Sequence, residues 1–323
     1  MITLLRASYQ DELRVPIFTG LSTDGYPEGT DVINGTEFHC IDTGAKYRYD
    51  IENDGWHEIP SEGGGGGDLS EWDYSQKLIK TGPNNTLIGK FVGTAVPTYA
   101  FYTESKLAQI ELSQGVIKIG SFAFNGCSGM TSISLPSSIK YIEHHAFQNC
   151  LKLELTSLPS GITSIGYNAF SSCRNLALKS LPSGLKSIEN YVFNDCQNLA
   201  LTSLPSGVTS IGTSAFDGCG ELALTSLPDG LQSVGNRAFF GCTNLALTSL
   251  PAGLTTVGSN AFQNCTKLAL TTLPEGINQI SNYVFKGCTN LNITVIPYSV
   301  NTIQSGAFSD CLSLHSISFK KRP

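Results

Sequence analysis

Cysteine is the chemically reactive residue that recurs most regularly in this chain. Nine of the ten cysteines lie 23 residues apart, at Cys127, Cys150, Cys173, Cys196, Cys219, Cys242, Cys265, Cys288 and Cys311. Thiolates coordinate zinc, but zinc clusters use closely spaced CxxC pairs, and this sequence has none. Equivalent residues of stacked repeats lie about 4.8 Å apart with parallel side chains, whereas disulfides need Cβ atoms about 3.8 Å apart. We therefore expect a column of reduced, buried thiols.

No other set of residues in the sequence is spaced for catalysis. The pair His144–His145 lies in an expected turn without a third ligand column. The glycine run at residues 63–67 lacks the Lys-Ser/Thr of a phosphate-binding loop. Catalysis needs unlike residues held in one cleft, whereas a repeat offers columns of like residues. The sequence thus predicts no catalytic, cofactor-binding or metal-binding residues, and no enzyme.

The elements that must position these columns belong to the repeat itself. Residues 204–226, "LPSGVTSIGTSAFDGCGELALTS", are followed by 23 residues that read nearly the same. An Ala/Val-Phe pair precedes every cysteine of the series by the same distance. Ala100-Phe101 marks a first coil in which Glu104 replaces the cysteine. This periodicity predicts about ten coils, from roughly residue 91 to residue 319.

Each coil has a stretch with strand character and a stretch that suits a tight helical turn. In one central coil the strand would run from Leu176 to Leu181, and Pro182 and Gly184 would turn the chain after it. The segment "SIGYNAFSSC" (residues 164–173) would form the helical turn. One coil buries too few apolar side chains to fold alone, so stability must come from stacking on its neighbours.

The consensus "LPxGaTSIGxxAFxxCxxLxLTS", in which a is Ile, Leu or Val, resembles the 23-residue leucine-rich repeat of the BspA-like type, also found in treponemal proteins. The resemblance implies a right-handed solenoid with a parallel β-sheet on one side and short helical or 3₁₀ turns opposite. It also implies a surface or secreted binding protein, often an adhesin, without catalytic residues. The central "LALTSL" spelling departs from the "MTSISL" (residues 130–135) and "LHSISF" (residues 314–319) spelling common in that family, which leaves the strand register open.

The repeat occupies residues 91–323, and three further segments are predicted before it. Residues 1–61 read as a small β-meander module. Its three expected strands are Glu37–Ile41, Ala45–Asp50 and Gly55–Ile59. Residues 62–68 form a glycine-rich linker, and residues 69–90 form a cap over the first coil. Because about sixty residues bury little core, we expect the module to dock on a partner or to form a homo-oligomer.

The segment "DTGAKYRYDIENDGWHEI" (residues 42–59) is similar to small modules of virion-associated proteins in phages of Gram-positive gut bacteria. This weaker resemblance implies a phage or prophage virion protein with a structural or host-recognition role. The chain start "MITLLRASYQDELRVPIF" lacks the apolar core of a signal peptide. That agrees with synthesis in the cytoplasm and release by lysis. The alternative is a bacterial cell-surface adhesin whose export signal is absent from this sequence.

Charge and hydropathy limit the kinds of partner. The 323 residues carry a net charge of −6 and show no basic stripe that could displace counterions from nucleic acid. No apolar stretch reaches the length of a transmembrane helix. We expect a protein or a cell-surface polysaccharide as partner, and neither nucleic-acid binding nor membrane insertion.

Two surfaces of the expected solenoid are candidates for binding. On the turn side, the two residues before Ala/Val-Phe vary from coil to coil and include Tyr, Asn and Arg, which are frequent in binding surfaces. The candidate contacts on this side are Tyr167, Tyr191, Arg237, Phe240 and Tyr283. The alternative strand face carries a column of hydroxyls. Its members are Thr202, Thr225, Thr248 and Thr271. For the turn side, the competing explanation is sequence drift on an unconstrained surface. For the strand face, it is the close stacking of small residues.

Overall fold

The computed structural model describes residues 87–320 with their side chains, and the backbone of six strands before them. The chain divides into two units, residues 1–74 and residues 75–323. Five strands of the first unit form one sheet in chain order. They are Thr3–Leu4 (β1), Ile17–Gly20 (β2), Glu37–Cys40 (β3), Lys46–Asp50 (β4) and Gly55–Ile59 (β5). β2 and β3 pair in parallel, and the other neighbours pair antiparallel.

Strands β3, β4 and β5 lie within one residue of the strands expected from the sequence. The linker expected at residues 62–68 and most of the cap expected at residues 69–90 lie outside the described residues. The side chain of Cys40 lies outside them as well. The boundaries of the four predicted segments therefore stay predictions.

In the second unit, the described residues contain sixteen strands, most of them two residues long. They are Lys77–Thr81 (β6), Leu87–Phe91 (β7), Ala95–Val96 (β8), Leu107–Leu112 (β9), Lys118–Ile119 (β10), Ser132–Ser134 (β11), Tyr141–Ile142 (β12), Ser164–Ile165 (β13), Ser187–Ile188 (β14), Ser210–Ile211 (β15), Ser233–Val234 (β16), Thr256–Val257 (β17), Gln279–Ile280 (β18), Val295–Ile296 (β19), Thr302–Ile303 (β20) and Ser318–Phe319 (β21). The antiparallel hairpin of β6 and β7 stands at one edge of a sheet that continues through β9 to β11.

Parallel pairing between residues 23 positions apart makes this unit a β-solenoid of about ten coils, which confirms the fold expected from the repeat. β8, β10, β12 and β13 form one parallel sheet, and β14 to β17 form another. Ser187 pairs with Ser210, and Ile188 pairs with Ile211. The isoleucine or valine of each pair points into the core, while its serine or threonine faces outward. In a central coil, the strand thus consists of the two residues Ser-Ile within the sequence "TSIG".

The strand expected from Leu176 to Leu181 is wrong for the central coils, where this stretch forms no strand. A pleated strand needs inward side chains at every second position. Leu176, Leu178 and Leu181 are the buried residues here, so two adjacent outward residues interrupt the alternation. In β9 the two adjacent non-buried residues come near the start of the stretch, at Ala108 and Gln109, and buried positions alternate from Ile110 to Leu112. β11 contains Ile133 and follows the same spelling, so the difference noted in the sequence coincides with where a strand forms.

The helical or 3₁₀ turns expected opposite the sheet are not seen in residues 87–320, which contain hydrogen-bonded turns and no helix. Asn168 and Ser172 in one turn have φ angles of 54° and 61°. A right-handed helix needs a negative φ at every residue, so two left-handed residues in one turn prevent it. The N–H of Phe170 instead donates to the carbonyl of Val192 in the next coil, at 2.9 Å.

Two buried columns fill the interior of the solenoid. The phenylalanine rings of successive coils stack with centroids 5.0 to 5.8 Å apart, from Phe101 to Phe308. The nine cysteines from Cys127 to Cys311 are buried, which confirms the expected thiol column. Each thiol donates to the phenylalanine carbonyl of the preceding coil, as Cys219 does to Phe193 at 3.0 Å. Burial raises the pKa of the Cys219 thiol well above its ordinary value.

Glu104 takes the place of the thiol in the first coil. Its side chain is buried, and its Oε1 accepts the backbone N–H of Lys106 at 3.1 Å. The thiol of the next coil, Cys127, donates to the carbonyl of Phe101 at 2.9 Å, as in every later coil. The degenerate first coil read from the sequence is therefore a stacked coil.

Candidate partner-binding surface

One position of the turn side has the same unusual backbone conformation in all ten coils. The residue directly before each Ala/Val-Phe pair has a φ angle between 50° and 63°. We name these residues the left-handed column: Tyr99, Phe122, His145, Asn168, Tyr191, Ser214, Arg237, Asn260, Tyr283 and Gly306. Glycine and asparagine adopt such angles most readily, while bulky side chains rarely do. The column therefore contains residues of very different conformational cost.

Hydrogen bonds to the next coil accompany this conformation. The N–H of Tyr191 donates to the carbonyl of Thr213 at 2.9 Å. The N–H of Tyr283 donates to the carbonyl of Ser305 at 3.0 Å in the same way. The backbone of the coil thus fixes the angle, whichever side chain the sequence supplies.

The side chains of the left-handed column alternate with a period of two coils. Odd-numbered coils, counted from the coil of Glu104, carry large side chains. These are Tyr99, His145, Tyr191, Arg237 and Tyr283. Even-numbered coils after Phe122 carry small or amide side chains. These are Asn168, Ser214, Asn260 and Gly306. The structural unit of this surface is therefore 46 residues, twice the 23-residue repeat.

Side chains also join coils in pairs. The Oδ1 of Asn190 accepts the backbone N–H of Thr213 in the next coil at 2.8 Å, and the Oδ1 of Asn236 accepts that of Ser259 at 2.9 Å. The Nδ1 of His144 occupies the same place in an earlier pair and accepts a backbone N–H at 3.0 Å. Threonine hydroxyls of the even coils donate back to carbonyls of the odd coils at 3.2 to 3.4 Å. Thr243 and Thr289, in odd coils, make the same kind of bond to the even coils before them, so the threonines link all of these coils and the asparagines alone mark the pairs.

Two of the expected contact residues, Arg237 and Phe240, lie against each other. The guanidinium carbon of Arg237 lies 3.8 Å from the centroid of the Phe240 ring. The Nε of Arg237 donates to Oδ2 of Asp217 at 2.8 Å, and the hydroxyl of Ser214 contacts the same oxygen at 3.3 Å. The guanidinium is thus held flat, with its charge neutralised by a carboxylate in the preceding coil.

Tyr191 and Tyr283 are the most exposed aromatic members of the column, each with 40% of its surface accessible. A methyl group at Gly306 would overlap the Cδ1 and Cε1 atoms of Tyr283, so the ring lies directly over this glycine. The ammonium of Lys286 lies 5.5 Å from the centroid of the same ring. The ring of Tyr283 therefore lies between Gly306 of the next coil and the nearby Lys286 ammonium, and 40% of the residue stays accessible.

Tyr167 belongs to a different group of rings from Tyr191 and Tyr283. Its ring stacks on His144 with centroids 4.1 Å apart and meets His145 edge-on at 4.7 Å. The stack continues from His145 to Phe122 at 4.4 Å and from there to Tyr99 at 4.9 Å. Burial lowers the pKa of His145, a hydrogen bond that its Nδ1 donates to the Oε1 of Gln148 opposes this effect, and the nearby His144 adds to it. Of the five expected contacts, Arg237 and Phe240 thus touch each other, while Tyr167 belongs to a separate stack of rings.

The threonines of the alternative hydroxyl column lie outside the parallel strands. Thr202, Thr225, Thr248 and Thr271 are all exposed. Among the described residues, no cluster of three or more His, Cys, Asp and Glu side chains is arranged to hold a metal ion. The same part of the chain contains no helix long and apolar enough to cross a membrane.

The alternation between coils and the side-chain caps of Asn190 and Asn236 are features that reasoning over single coils misses. They lie in the variable pairs of residues before Ala/Val-Phe. When each coil is compared with the next one, the differences at these positions look like random drift. The signal appears when coils are compared in steps of two, because Asn190-Tyr191, Asn236-Arg237 and Asn282-Tyr283 then align.

Comparisons with known proteins agree with this repeat architecture. A family model described as "BspA type Leucine rich repeat region (6 copies)" matches residues 94–223 and residues 209–322. Among solved structures, a leucine-rich repeat protein of T. pallidum is 30% identical, with a TM-score of 0.44 over 54% of this chain and 90% of that chain. A leucine rich cell surface protein of Faecalibacterium prausnitzii A2-165 is 22% identical, with a TM-score of 0.45 over 78% and 95% of the two chains.

The pneumococcal vaccine antigen PcpA is 22% identical, with a TM-score of 0.42 over 67% of this chain and 68% of that chain. The search of curated proteins found no match. None of these findings supports the phage-virion interpretation of residues 1–61. The family model, in contrast, covers well over half of the chain, and the coils that it matches stack as the repeat predicts. The chain belongs to the BspA-type leucine-rich repeat family.

Proposed function

We propose that this chain is a non-catalytic recognition module of a bacterial cell-surface protein, and that it binds its partner through the left-handed column. Solenoids of this family typically serve as scaffolds for protein binding, and such proteins are often found at the cell surface. Among the two locations considered from the sequence, the family match favours the cell surface over the virion.

The observation that carries this proposal is the choice of side chains at left-handed positions. Holding a residue other than glycine there costs about 1–2 kcal/mol, and asparagine would reduce that cost. The column uses asparagine or glycine in some coils but places Tyr191, Arg237 and Tyr283 in others. These three side chains are exposed, so burial in the core does not compensate for the strain. Strained residues of this kind concentrate at binding sites.

The frame that carries these side chains suits weak, repeated contacts. Backbone hydrogen bonds to the next coil hold each turn, so little conformational entropy is lost when a partner binds. Tyrosine and arginine are the side chains that most often dominate binding energy. Several copies on one surface would add avidity without any new contact.

The test compares the two candidate faces on the full-length chain displayed on beads. The variant Tyr191→Asn/Arg237→Asn/Tyr283→Asn should bind host cells and extracellular matrix at least about tenfold more weakly than the parent, because each lost anchor removes roughly 1 kcal/mol. The matched variant Thr225→Ala/Thr248→Ala/Thr271→Ala should bind like the parent. The opposite ranking would move the site to the threonine face. A parent chain that binds no surface would leave the solenoid with a structural role only.

A further inference from the structure

We infer that Tyr191, Arg237 and Tyr283 form three repeating subsites for a neutral, extended polysaccharide of β-1,4-linked pyranose sugars, with one subsite for every two sugars. The inference rests on the proposed function and specifies the chemical class of the partner. It is carried by three features of the odd coils: their spacing, the polar group beside each large side chain, and the neutral charge of the central subsite.

The spacing of the rings inside these coils differs from the repeats of the two common extended peptide conformations. Neighbouring coils are separated by 5.4 to 5.8 Å between the phenylalanine rings of this region. Subsites two coils apart therefore exceed the roughly 9.3 Å turn of a polyproline helix. They also do not match multiples of the roughly 6.7 Å side-chain repeat of a β-strand. An extended β-1,4-linked pyranose chain advances by about one coil for each sugar, and it presents the same ring face at every second sugar.

The first two subsites each combine a flat side chain with an amide donor. Asn190 precedes Tyr191, and Asn236 precedes Arg237. The Oδ1 atoms of both asparagines accept backbone N–H groups of the next coil, so their orientation is fixed. The two N–H bonds of each amide remain as donors. Both asparagines are exposed. A pyranose needs this pair of partners, because its axial C–H bonds stack on flat groups while its hydroxyls accept hydrogen bonds.

The central subsite favours a neutral polymer. Asp217 neutralises the Arg237 guanidinium through the bond of 2.8 Å, and the guanidinium covers the Phe240 ring. The result is a flat, charge-compensated platform in place of a free cation. An acidic polymer would meet the partly buried carboxylate of Asp217 at this point, which opposes its binding.

The even coils keep the subsites apart and open. Ser214, between the first and second subsites, is buried, and Asn260, between the second and third, is half-buried. Gly306, which follows the third subsite, leaves room for the ring of Tyr283, and this residue stays 40% exposed. A large side chain in each of these coils would fill the space that the intervening sugar needs.

The first experiment measures the dependence of affinity on ligand length. Cello-oligosaccharides and chito-oligosaccharides of two, four and six sugars are titrated into the full-length chain by isothermal calorimetry. Affinity for at least one series should rise about tenfold with each added disaccharide, because each one reaches another subsite. Affinity that does not change with length in either series, or binding of a polyproline peptide in preference to both, would overturn the inference.

The second experiment shifts one subsite without changing the composition. The double variant Asn260→Tyr/Tyr283→Asn moves a tyrosine by one coil, so hexasaccharide affinity should fall about tenfold while disaccharide affinity stays unchanged. Asn260→Ala is the matched control and should bind the hexasaccharide like the parent. If the double variant has a lowered melting temperature, the single variant Tyr283→Asn replaces it and should show the same fall in hexasaccharide affinity. Equal hexasaccharide binding by the parent and the shifted chain would overturn the inference.

A competition assay separates this inference from the proposed function. If the parent chain binds a cell surface and the triple asparagine variant does not, an excess of hexasaccharide should displace the parent. Displacement would support the polysaccharide. Surface binding that no hexasaccharide displaces would overturn the inference of a polysaccharide ligand. The left-handed column would then remain the proposed binding site for another partner.

Discussion

The phenylalanine column and the left-handed column are separated by only one residue in the sequence, yet they obey opposite rules. Inside, the same ring recurs in every coil, and Phe216 is 0% exposed. Outside, every coil repeats the same φ angle while the side chain changes from tyrosine to serine, arginine or glycine. In the interior, stacking fixes the identity of the side chain, because neighbouring coils surround it. On the turn surface, stacking fixes only the backbone angle, so the side chain is free to be selected for binding a partner.

The sharpest test of this contrast is Phe216→Ala. The ring packs between Phe193 and Phe239, with centroids 5.6 and 5.4 Å away, so its loss leaves a cavity that both neighbours line. The free energy of unfolding should fall by roughly 3–5 kcal/mol. Thr225→Ala, at an exposed position of the same coil, should stay within about 0.5 kcal/mol of the parent in the same denaturant titration. Similar losses in both variants would show that inside and outside are assigned wrongly.

A smaller loss is expected from Cys219→Ala. The change removes a buried sulfur and its hydrogen bond to the Phe193 carbonyl, which should cost about 1–2 kcal/mol. The same change at Cys311, in the last coil, should cost less because that coil is packed on one side by a preceding coil and is more exposed. Equal losses at both positions in thermal melts would mean that the thiol column contributes locally and not through stacking.

The contrast predicts a gain in stability on the outer column. Tyr191→Asn should raise the free energy of unfolding by roughly 0.5–1 kcal/mol, since asparagine tolerates the left-handed angle better than tyrosine. The reciprocal change, Asn168→Tyr, should lower it by a similar amount. Differential scanning calorimetry of both variants measures the pair. A destabilised Tyr191→Asn variant would indicate that the ring packs for stability and is not held under strain.

The smallest effect is expected from pH. Burial holds the pKa of His145 below its ordinary value, so the neutral ring is favoured in the folded chain. This stabilisation is present above the unfolded pKa of about 6.5 and is lost as the pH falls below it. The melting temperature should therefore decrease by a few degrees between pH 7.5 and pH 5. His145→Asn should flatten that decrease, whereas an unchanged decrease in this variant would assign it to other groups.

The interior could be predicted from the sequence because its columns are invariant, and a recurring Phe or Cys at one position has a single physical explanation in a stacked repeat. The strands could not, because Leu176, Leu178 and Leu181 resemble a strand until the spacing of their buried positions is counted. The left-handed turns escaped prediction for a related reason. Tyr191 and Arg237 are poor left-handed residues, so the residue types that normally announce such an angle are missing. The candidate contacts were identifiable as variable positions, but their alternation depends on comparing coils two steps apart.

The pairing of coils through Asn190 and Asn236 has a consequence for how such an array changes length over generations. Duplicating one 23-residue coil would preserve the ring stack and the thiol column, so the product would fold. After the insertion, however, the large side chains would fall on even-numbered coils, whereas those before it would stay on odd-numbered coils. Duplicating 46 residues would add one complete subsite in phase. Selection for binding should therefore favour arrays that grow or shrink by an even number of coils, although folding alone would accept any number.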